Sequence, residues 1–247
     1  MKTYDYIIAG GGSSGCVLAN RLSEDPKNTV LLIESGKRDT DPWIHIPATF
    51  FKVLGKGEAV HPYASEPDKG LNARPSIVPQ GNVLGGGSSI NAMIYIRGHR
   101  NDYDTWAQMG CKGWSYDEVL PVFRSLENNE RLNGTYHGRA GTLHVSDPRH
   151  RHPLSEAFVQ AATEIGIPFN PDFNGSEQEG VGFYQTTTHK GRRWSSAQAF
   201  LREAEKRPNL TVLTERRVAR ILFEGKRAGG VELLDGTRFA AAKEIAL

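Results

Sequence analysis

Gly10, Gly12 and Gly15 stand at the spacing G-x-G-x-x-G, and Glu34 follows Gly15 by about twenty residues. That set of residues can hold a dinucleotide. Gly10 permits a tight turn, Gly12 lets the backbone approach a pyrophosphate, and Gly15 lets a helix pack closely on a sheet. Ser13 and Ser14 lie between the last two glycines and join the same binding set. Glu34 is placed to accept hydrogen bonds from an adenosine ribose.

The elements that must position these residues are legible around them. Tyr6-Ile7-Ile8-Ala9 is an apolar run of strand length, within a strand that begins near residue 4. After the glycines, Gly15, Leu18, Ala19 and Leu22 share one face of a helix. Asp25-Pro26 stops that helix, because the residue before proline is pushed out of the α region. Thr29 to Ile33 is short and β-branched and reads as a buried parallel strand, with Glu34 at its tip. The first helical N–H groups and their partial positive charge face the place a phosphate would occupy. Strand, glycines, helix, strand and acid in one unit make a much stronger signal than the glycines alone.

Composition excludes several classes. The 247 residues carry a net charge of +2, with charges mixed along the chain, so nothing points to nucleic acid. No apolar run approaches membrane-spanning length, and the early first strand leaves no room for a signal peptide. The two cysteines, Cys16 and Cys111, argue against a disulfide framework and favour a reducing compartment; Cys16 reads as a small buried thiol. The expected location is the cytoplasm or the periphery of the inner membrane. The sequons at Asn133, Asn174 and Asn209 read as chance.

Residues 37–82 are rich in Pro, Gly and charge and show no sustained periodicity. A plain NAD domain would continue here with another regular α/β unit, so the stretch needs a functional or cofactor-contacting explanation. Next comes Pro79 to Asn91, dense in glycine and serine, followed by the apolar segment Ala92-Met93-Ile94-Tyr95-Ile96. A loop of small residues tethered to a buried segment suits close approach to a flat ligand, and its N–H groups can cradle an anion.

The segment Gly81 to Asp104, GNVLGGGSSINAMIYIRGHRNDYD, resembles the first signature of the glucose–methanol–choline (GMC) flavoprotein oxidoreductases. Pro42-Trp43-Ile44-His45-Ile46-Pro47 and Asp172-Phe173-Asn174-Gly175 are similar to theirs as well, and the likeness runs over essentially the whole chain. Many relatives have Arg and Lys where this chain has Gln80 and Asn82. The resemblance implies FAD as cofactor. Gly10, Gly12, Ser13, Ser14, Gly15 and Glu34 would hold its ADP half. Val83, Gly86, Asn91, Ala92, Met93 and Ile94 would line the flavin side, and Val218 would meet the adenine. Members that bind FAD covalently have a histidine where this chain has Ile90, so a non-covalent flavin is implied. The family's second signature, G-x-I-x-S-P-x-x-L, and its C-terminal catalytic histidine have no counterpart in these residues. No catalytic residue is therefore carried over; the histidine is expected beyond Leu247.

The remaining chain is read from its local signals. Residues 101–109 form a short helix ended by Gly110, and Ser115 with Glu118 makes a capping box for the next. Arg149-His150-Arg151-His152 lacks a scaffold and a carboxylate pair, so it reads as a solvated loop and no metal site is expected. Leu154 to Ile165 is amphipathic, with Leu154, Phe158, Ala161 and Ile165 on one face. Ser195 caps a helix running to about Ala204, with Arg192-Arg193-Trp194 leading into it; bordering a substrate cavity is one reading of these three, and a helix-entry surface is the preferred one. Leu210–Leu213, Val218–Phe223, Gly230–Leu234 and Arg238–Ala240 read as short strands, with a hairpin at Asp235-Gly236. Lys243 to Leu247 begin a further strand.

The fold class that follows is α/β: a Rossmann-like FAD domain of the glutathione-reductase type with a β-meander, plus part of an α+β substrate domain. The FAD domain comprises 1–40, 78–108 and 192–247; 41–77 covers the cofactor, and 109–191 is a helical and loop region belonging to the substrate side. The expected function is FAD-dependent oxidation of the CH–OH group of a small primary alcohol, as in choline dehydrogenase, with the electron acceptor (oxygen, quinone or protein) left open. The alternatives are an NAD(P)-dependent Rossmann reductase and a non-catalytic flavin-binding module.

Overall fold

The apolar runs at the start of the chain become the centre of a sheet. The computed structural model describes residues 1–247. In chain order its elements begin with β1 (Lys2–Ala9), α1 (Ser13–Leu22) and β2 (Val30–Ile33). Then come α2 (Pro42–His45), α3 (Phe50–Lys56), β3 (Val60–Ala64) and β4 (Ile77–Gly81). The middle of the chain forms α4 (Arg100–Gln108), α5 (Tyr116–Leu126), β5 (Glu127–Asn129), β6 (Leu143–Val145), α6 (Pro153–Glu164), β7 (Thr188–His189) and β8 (Arg192–Arg193). The last are α7 (Arg202–Ala204), β9 (Leu210–Leu213), β10 (Val218–Glu224), β11 (Arg227–Leu233) and β12 (Arg238–Ala246). Two compact units result: Met1–Ala92 with Arg193–Leu247, and Met93–Arg192. The sequence-based boundary at 108/109 falls inside the second unit, and 41–77 lies in the first.

The first unit is built on a six-stranded sheet in the order β10-β11-β12-β1-β2-β9. β1 runs parallel to both β2 and β12, and β2 runs parallel to β9. All four residues of β2 are buried, as a strand covered on both faces requires. Tyr4, Ile7, Leu31, Ile33, Val231, Leu233 and Ala241 form one apolar cluster across β1, β2, β11 and β12. Each aliphatic side chain buried there contributes about 1.5–3 kcal/mol.

Several local expectations change in this unit. Residues 37–82 are not irregular throughout: Asp41 caps α2 by accepting from the Trp43 N–H, and β3 pairs with β4 as an antiparallel hairpin. Ile44, Val53, Val60, Val83 and Ile90 form a second small core there. Its apolar residues are spaced too unevenly to show a period. The two strands expected at Arg238–Ala240 and from Lys243 are one strand, β12. Its first residues pair with β11 as the meander, and along its length it pairs with β1. A bulge in the pairing with β1, between Tyr4 and Tyr6, accommodates the polar break in the middle. The helix after Ser195 opens with a π turn at Ala197–Leu201, which turns Ala197, Ala199, Phe200 and Leu201 all to the buried side.

The second unit holds α4 to α6 and small strand pairs. The Ser115–Glu118 capping box forms, with the Ser115 N–H donating to Glu118 Oε2 at 3.0 Å. Helix α4 carries another, between His99 and Asp102. The expectation that residues 92–96 are buried holds only in part: Met93 is buried, whereas Ala92, Ile94 and Ile96 are exposed. Helix α6 also differs. Leu154, Phe158 and Ile165 are exposed, and Ala162 is its buried residue among those described, so the apolar face read from the sequence is not the face this unit covers.

Candidate functional site

In the first unit the site is assembled from two glycine-rich turns pressed together. Gly10 leaves β1 with φ 113°, a conformation that favours glycine. Its N–H donates to Ile33 O at 2.8 Å, which fixes the turn against β2. Gly12 is the N-cap of α1 and provides no side-chain cap, so the first helical N–H groups face outward beside the exposed Ser13 and Ser14. A Cβ on Gly15 would lie 1.9 Å from Gly10 O, whereas one on Gly12 would meet nothing within 4 Å. Gly15 is therefore the packing glycine, and Gly12 borders open space.

The second turn, Leu84 to Ser89, closes over the first. The Gly85 N–H donates to Gly11 O at 2.7 Å. Gly86, with φ 52°, lies so near that a Cβ on it would stand 2.7 Å from Gly12 Cα. Val83 is buried and pairs by a single bridge with Lys37. An open cleft of about 450 Å³ is lined by Lys37, Arg38, Trp43, Ile44, Ala59 and Val83.

Glu34 sits at the end of β2, 5% exposed, and does more than its motif implies. Oε2 accepts the Gly11 N–H and Oε1 accepts the Gly36 N–H, each at 2.7 Å. The carboxylate thus ties the glycine turn to the end of β2; the Ser35 hydroxyl lies 3.4 Å from Oε1, and Oε2 keeps a further lone pair. The segment leading to Val218 runs beside it, with Glu215 N–H on Gly36 O and Arg216 N–H on Glu34 O. Val218 itself is half-buried at the start of β10, opposite Leu233.

Arg193 went unrecognised in the sequence, where it reads as part of a surface leading into a helix. It is 1% exposed. Nε donates to Ile44 O at 2.8 Å, and Nη1 donates to Ser88 O at 3.1 Å and to Asn91 Oδ1 at 2.8 Å. Nη2 is buried without a hydrogen-bond partner. Burial lowers its pKa to about 10, which leaves it a cation at neutral pH. The guanidinium joins the second glycine turn to α2, a role no local pattern could reveal. Of the predicted flavin-side run, Asn91 and Ala92 belong to this unit, and Met93 and Ile94 to the other. Cys16 is fully buried, and burial pushes its thiol up to about 12, so it is an inert core residue.

The second unit is organised on a buried polar cluster. Glu127, fully buried, accepts from Arg97 Nη2 at 2.8 Å and contacts His137 Nδ1 at 2.9 Å. His137 Nε2 lies 2.9 Å from Asp172 Oδ2. Asn129 and Gln185 extend the network. Asn174, in the sequence Asp172-Phe173-Asn174-Gly175, accepts the Arg97 N–H and donates to Tyr95 O, so it is a buried structural residue.

The sequence matches the GMC oxidoreductase family over residues 4–246. The chain belongs to that family. Among its relatives are the alcohol dehydrogenase (acceptor) of Pseudomonas putida, 49% identical over 94% of this chain and 42% of the relative, and the mitochondrial choline dehydrogenase of Mus musculus, 44% identical over 99% and 43%. The chain thus spans less than half the length of these relatives. The crystal structure of pyridoxine 4-oxidase from Mesorbium loti superimposes with a TM-score of 0.93 at 36% identity, over 98% of this chain and 48% of that one. An FAD-dependent oxidoreductase from Chaetomium thermophilum gives 0.91 at 36%, over 98% and 44%. The GMC fold assigns the six-stranded sheet and its meander to the α/β class expected. Among the described residues no helix is long and apolar enough to cross a membrane.

Proposed function

We propose that this chain is the FAD-binding part of an oxidoreductase that acts on the CH–OH group of a small primary alcohol, as choline dehydrogenase does. The observation that carries the reading is the pair of apposed glycine turns. Open space borders Gly12, the N-terminus of α1 lacks a side-chain cap, and a buried Arg193 Nη2 awaits an acceptor. A dinucleotide needs close backbone approach and N–H donors for its phosphates, and the Arg193 cation beside the second turn adds a donor there.

In this reading Gly10, Gly12, Ser13, Ser14 and Gly15 receive the pyrophosphate. Glu34 uses its remaining lone pair on the adenosine ribose, and the start of β10 at Val218 meets the adenine. Val83, Gly86, Asn91 and Ala92 line the flavin side, with Met93 and Ile94 added by family resemblance. When bound, FAD supplies a hydride acceptor at N5 of its ring. The residues of this chain bind and orient it, and none of them is assigned as the proton acceptor for the alcohol. With Ile90 at the position of covalent attachment, the flavin is held without a covalent bond.

The test is Gly12→Val beside Gly15→Ala in the full-length protein. A side chain at Gly12 enters open space, so the apo form of the variant melts within a few degrees of the wild-type apoprotein, but FAD retention falls at least tenfold. Gly15→Ala, aimed at Gly10 O, loses FAD and stability together. Full FAD content in Gly12→Val would overturn the assignment. Acid precipitation of the wild-type protein should leave the yellow colour in the supernatant; flavin fluorescence in the pellet would overturn the non-covalent reading. Reduction of a dye acceptor on addition of choline or another primary alcohol tests the substrate class, and a flavin-loaded protein inert to all of them would count against it.

A further inference from the structure

Glu130, His144 and His189 lie far apart in sequence, yet each brings a ligating atom within 4.8 Å of the others. Their backbone positions are fixed by the small strands of the second unit. Glu130 follows β5, and its N–H donates to Val145 O at 2.9 Å. His144 is the middle residue of β6, which pairs parallel with β5 so that His144 stands opposite Asn128. His189 ends β7, where Thr188 Oγ1 lies 2.6 Å from Ser146 Oγ and Thr186 exchanges main-chain hydrogen bonds with Ser146. The two imidazoles stack with centroids 3.7 Å apart and planes at 28°. His189 Nδ1 lies 3.2 Å from Glu130 Oε1. Both histidines are half-buried and Glu130 is exposed, so the cluster has two nitrogen ligands on partly covered strands and a carboxylate open to solvent.

The geometry points to a binding site for a divalent transition-metal cation, with zinc as the best-matched ion, held by His144, His189 and Glu130 with a solvent molecule completing the shell. Two imidazoles and one carboxylate suit a borderline ion such as Zn²⁺ better than Mg²⁺ or Ca²⁺, which take oxygen ligands. Tetrahedral coordination at about 2.0–2.2 Å puts ligand atoms about 3.3 Å apart. Ligand atoms now within 4.8 Å of one another must close by up to about 1.5 Å to reach that spacing, so the stacked imidazoles part as they turn their nitrogens to the ion and the exposed Glu130 carboxylate swings in. The site is distinct from Arg149-His150-Arg151-His152, whose residues lie in an exposed loop where His152 caps α6.

The experiment uses full-length protein freed of metal by chelator dialysis and titrated with Co²⁺, followed by competition with Zn²⁺. One equivalent of Co²⁺ should produce the visible d–d absorption of a four-coordinate site, and Zn²⁺ should abolish it. His144→Gln and His189→Gln should each weaken binding at least tenfold, Glu130→Gln less, and the double variant His150→Gln/His152→Gln not at all. A second readout avoids variants: Zn²⁺ should protect His144 and His189 of the wild-type protein from diethylpyrocarbonate, leaving His150 and His152 reactive. Absence of stoichiometric binding, protection confined to other histidines, or binding lost only in the His150/His152 variant would overturn the proposal.

Discussion

Glu34 and Glu127 are both buried carboxylates, 5% and 0% exposed, and they are stabilised in opposite ways. Glu34 accepts two backbone N–H groups from residues close to it in the fold of one βαβ unit and has no ion-pair partner among the hydrogen bonds described. Glu127 faces two side-chain cations, Arg97 and His137, brought from elsewhere in the chain. A carboxylate on backbone dipoles can keep lone pairs for a ligand. One locked between cations spends its hydrogen-bonding capacity inside the protein. The first arrangement belongs to a binding turn and the second to a polar core.

The largest effect should come from removing the acid of the polar core. Glu127→Ala leaves Arg97 and His137 buried without their anion, and breaking a buried pair from one side costs about 3–5 kcal/mol. A urea melt of the full-length protein should show that loss, with new protease cleavage confined to residues 93–192. Arg21→Ala, which opens an exposed pair with Glu24, should change the melt by less than about 0.5 kcal/mol. If the two variants melt alike, the polar cluster is not what holds the second unit together.

This contrast also marks how far the sequence could be read. β1, α1, β2 and the glycine turn were legible because their signals are local: two strand-length apolar runs, a helical face and a fixed glycine spacing. Glu34 is legible as the acid at the end of β2 because it stands at a set distance from Gly15. Arg193, Glu127 and His137 were missed because their partners are remote: Arg193 reaches Asn91 and Ile44, and Glu127 reaches Arg97. A charged residue in isolation reads as surface, and only the folded chain supplies the countercharge that permits burial. β12 was split in two because Lys243 and Glu244 interrupt its apolar pattern, although the strand continues through them.

A smaller effect should appear on changing pH. His137 would have its pKa lowered by burial, but its bonds to Asp172 and Glu127 outweigh that and raise it from 6.5 to about 9. A group whose pKa is raised on folding stabilises the protein fully below its unfolded value. The contribution should therefore be complete below about pH 6.5 and disappear as the pH approaches 9. Glu127 and Asp172 shift the opposite way: burial raises their pKa values, but the bonds to His137 and their other partners bring them below the ordinary range. Their contribution is present above that range and fades as pH falls through the lowered values. Urea melts across pH should lose about 2–3 kcal/mol on the alkaline side. His137→Gln should flatten that limb; an unchanged limb would assign it to another group.

A smaller effect again should come from Glu34→Gln, and it separates the two carboxylates most directly. The amide keeps one acceptor oxygen for either Gly11 or Gly36 but turns an NH₂ donor toward the other N–H. One backbone donor is then left without its charged acceptor, for a loss of about 1–2 kcal/mol. No buried cation is orphaned, so the melt should shift far less than in Glu127→Ala. Binding should respond in the reverse order. The glycine turn loses its tie to the end of β2 and the ribose loses a charged acceptor, so FAD affinity should fall about tenfold, measured by fluorescence titration of apoprotein. Glu127→Ala, in whatever fraction remains folded, should leave the affinity of the first unit for FAD unchanged. If Glu34→Gln instead melts as early as Glu127→Ala while binding FAD like the wild type, Glu34 is a structural acid and the ribose contact belongs to another residue.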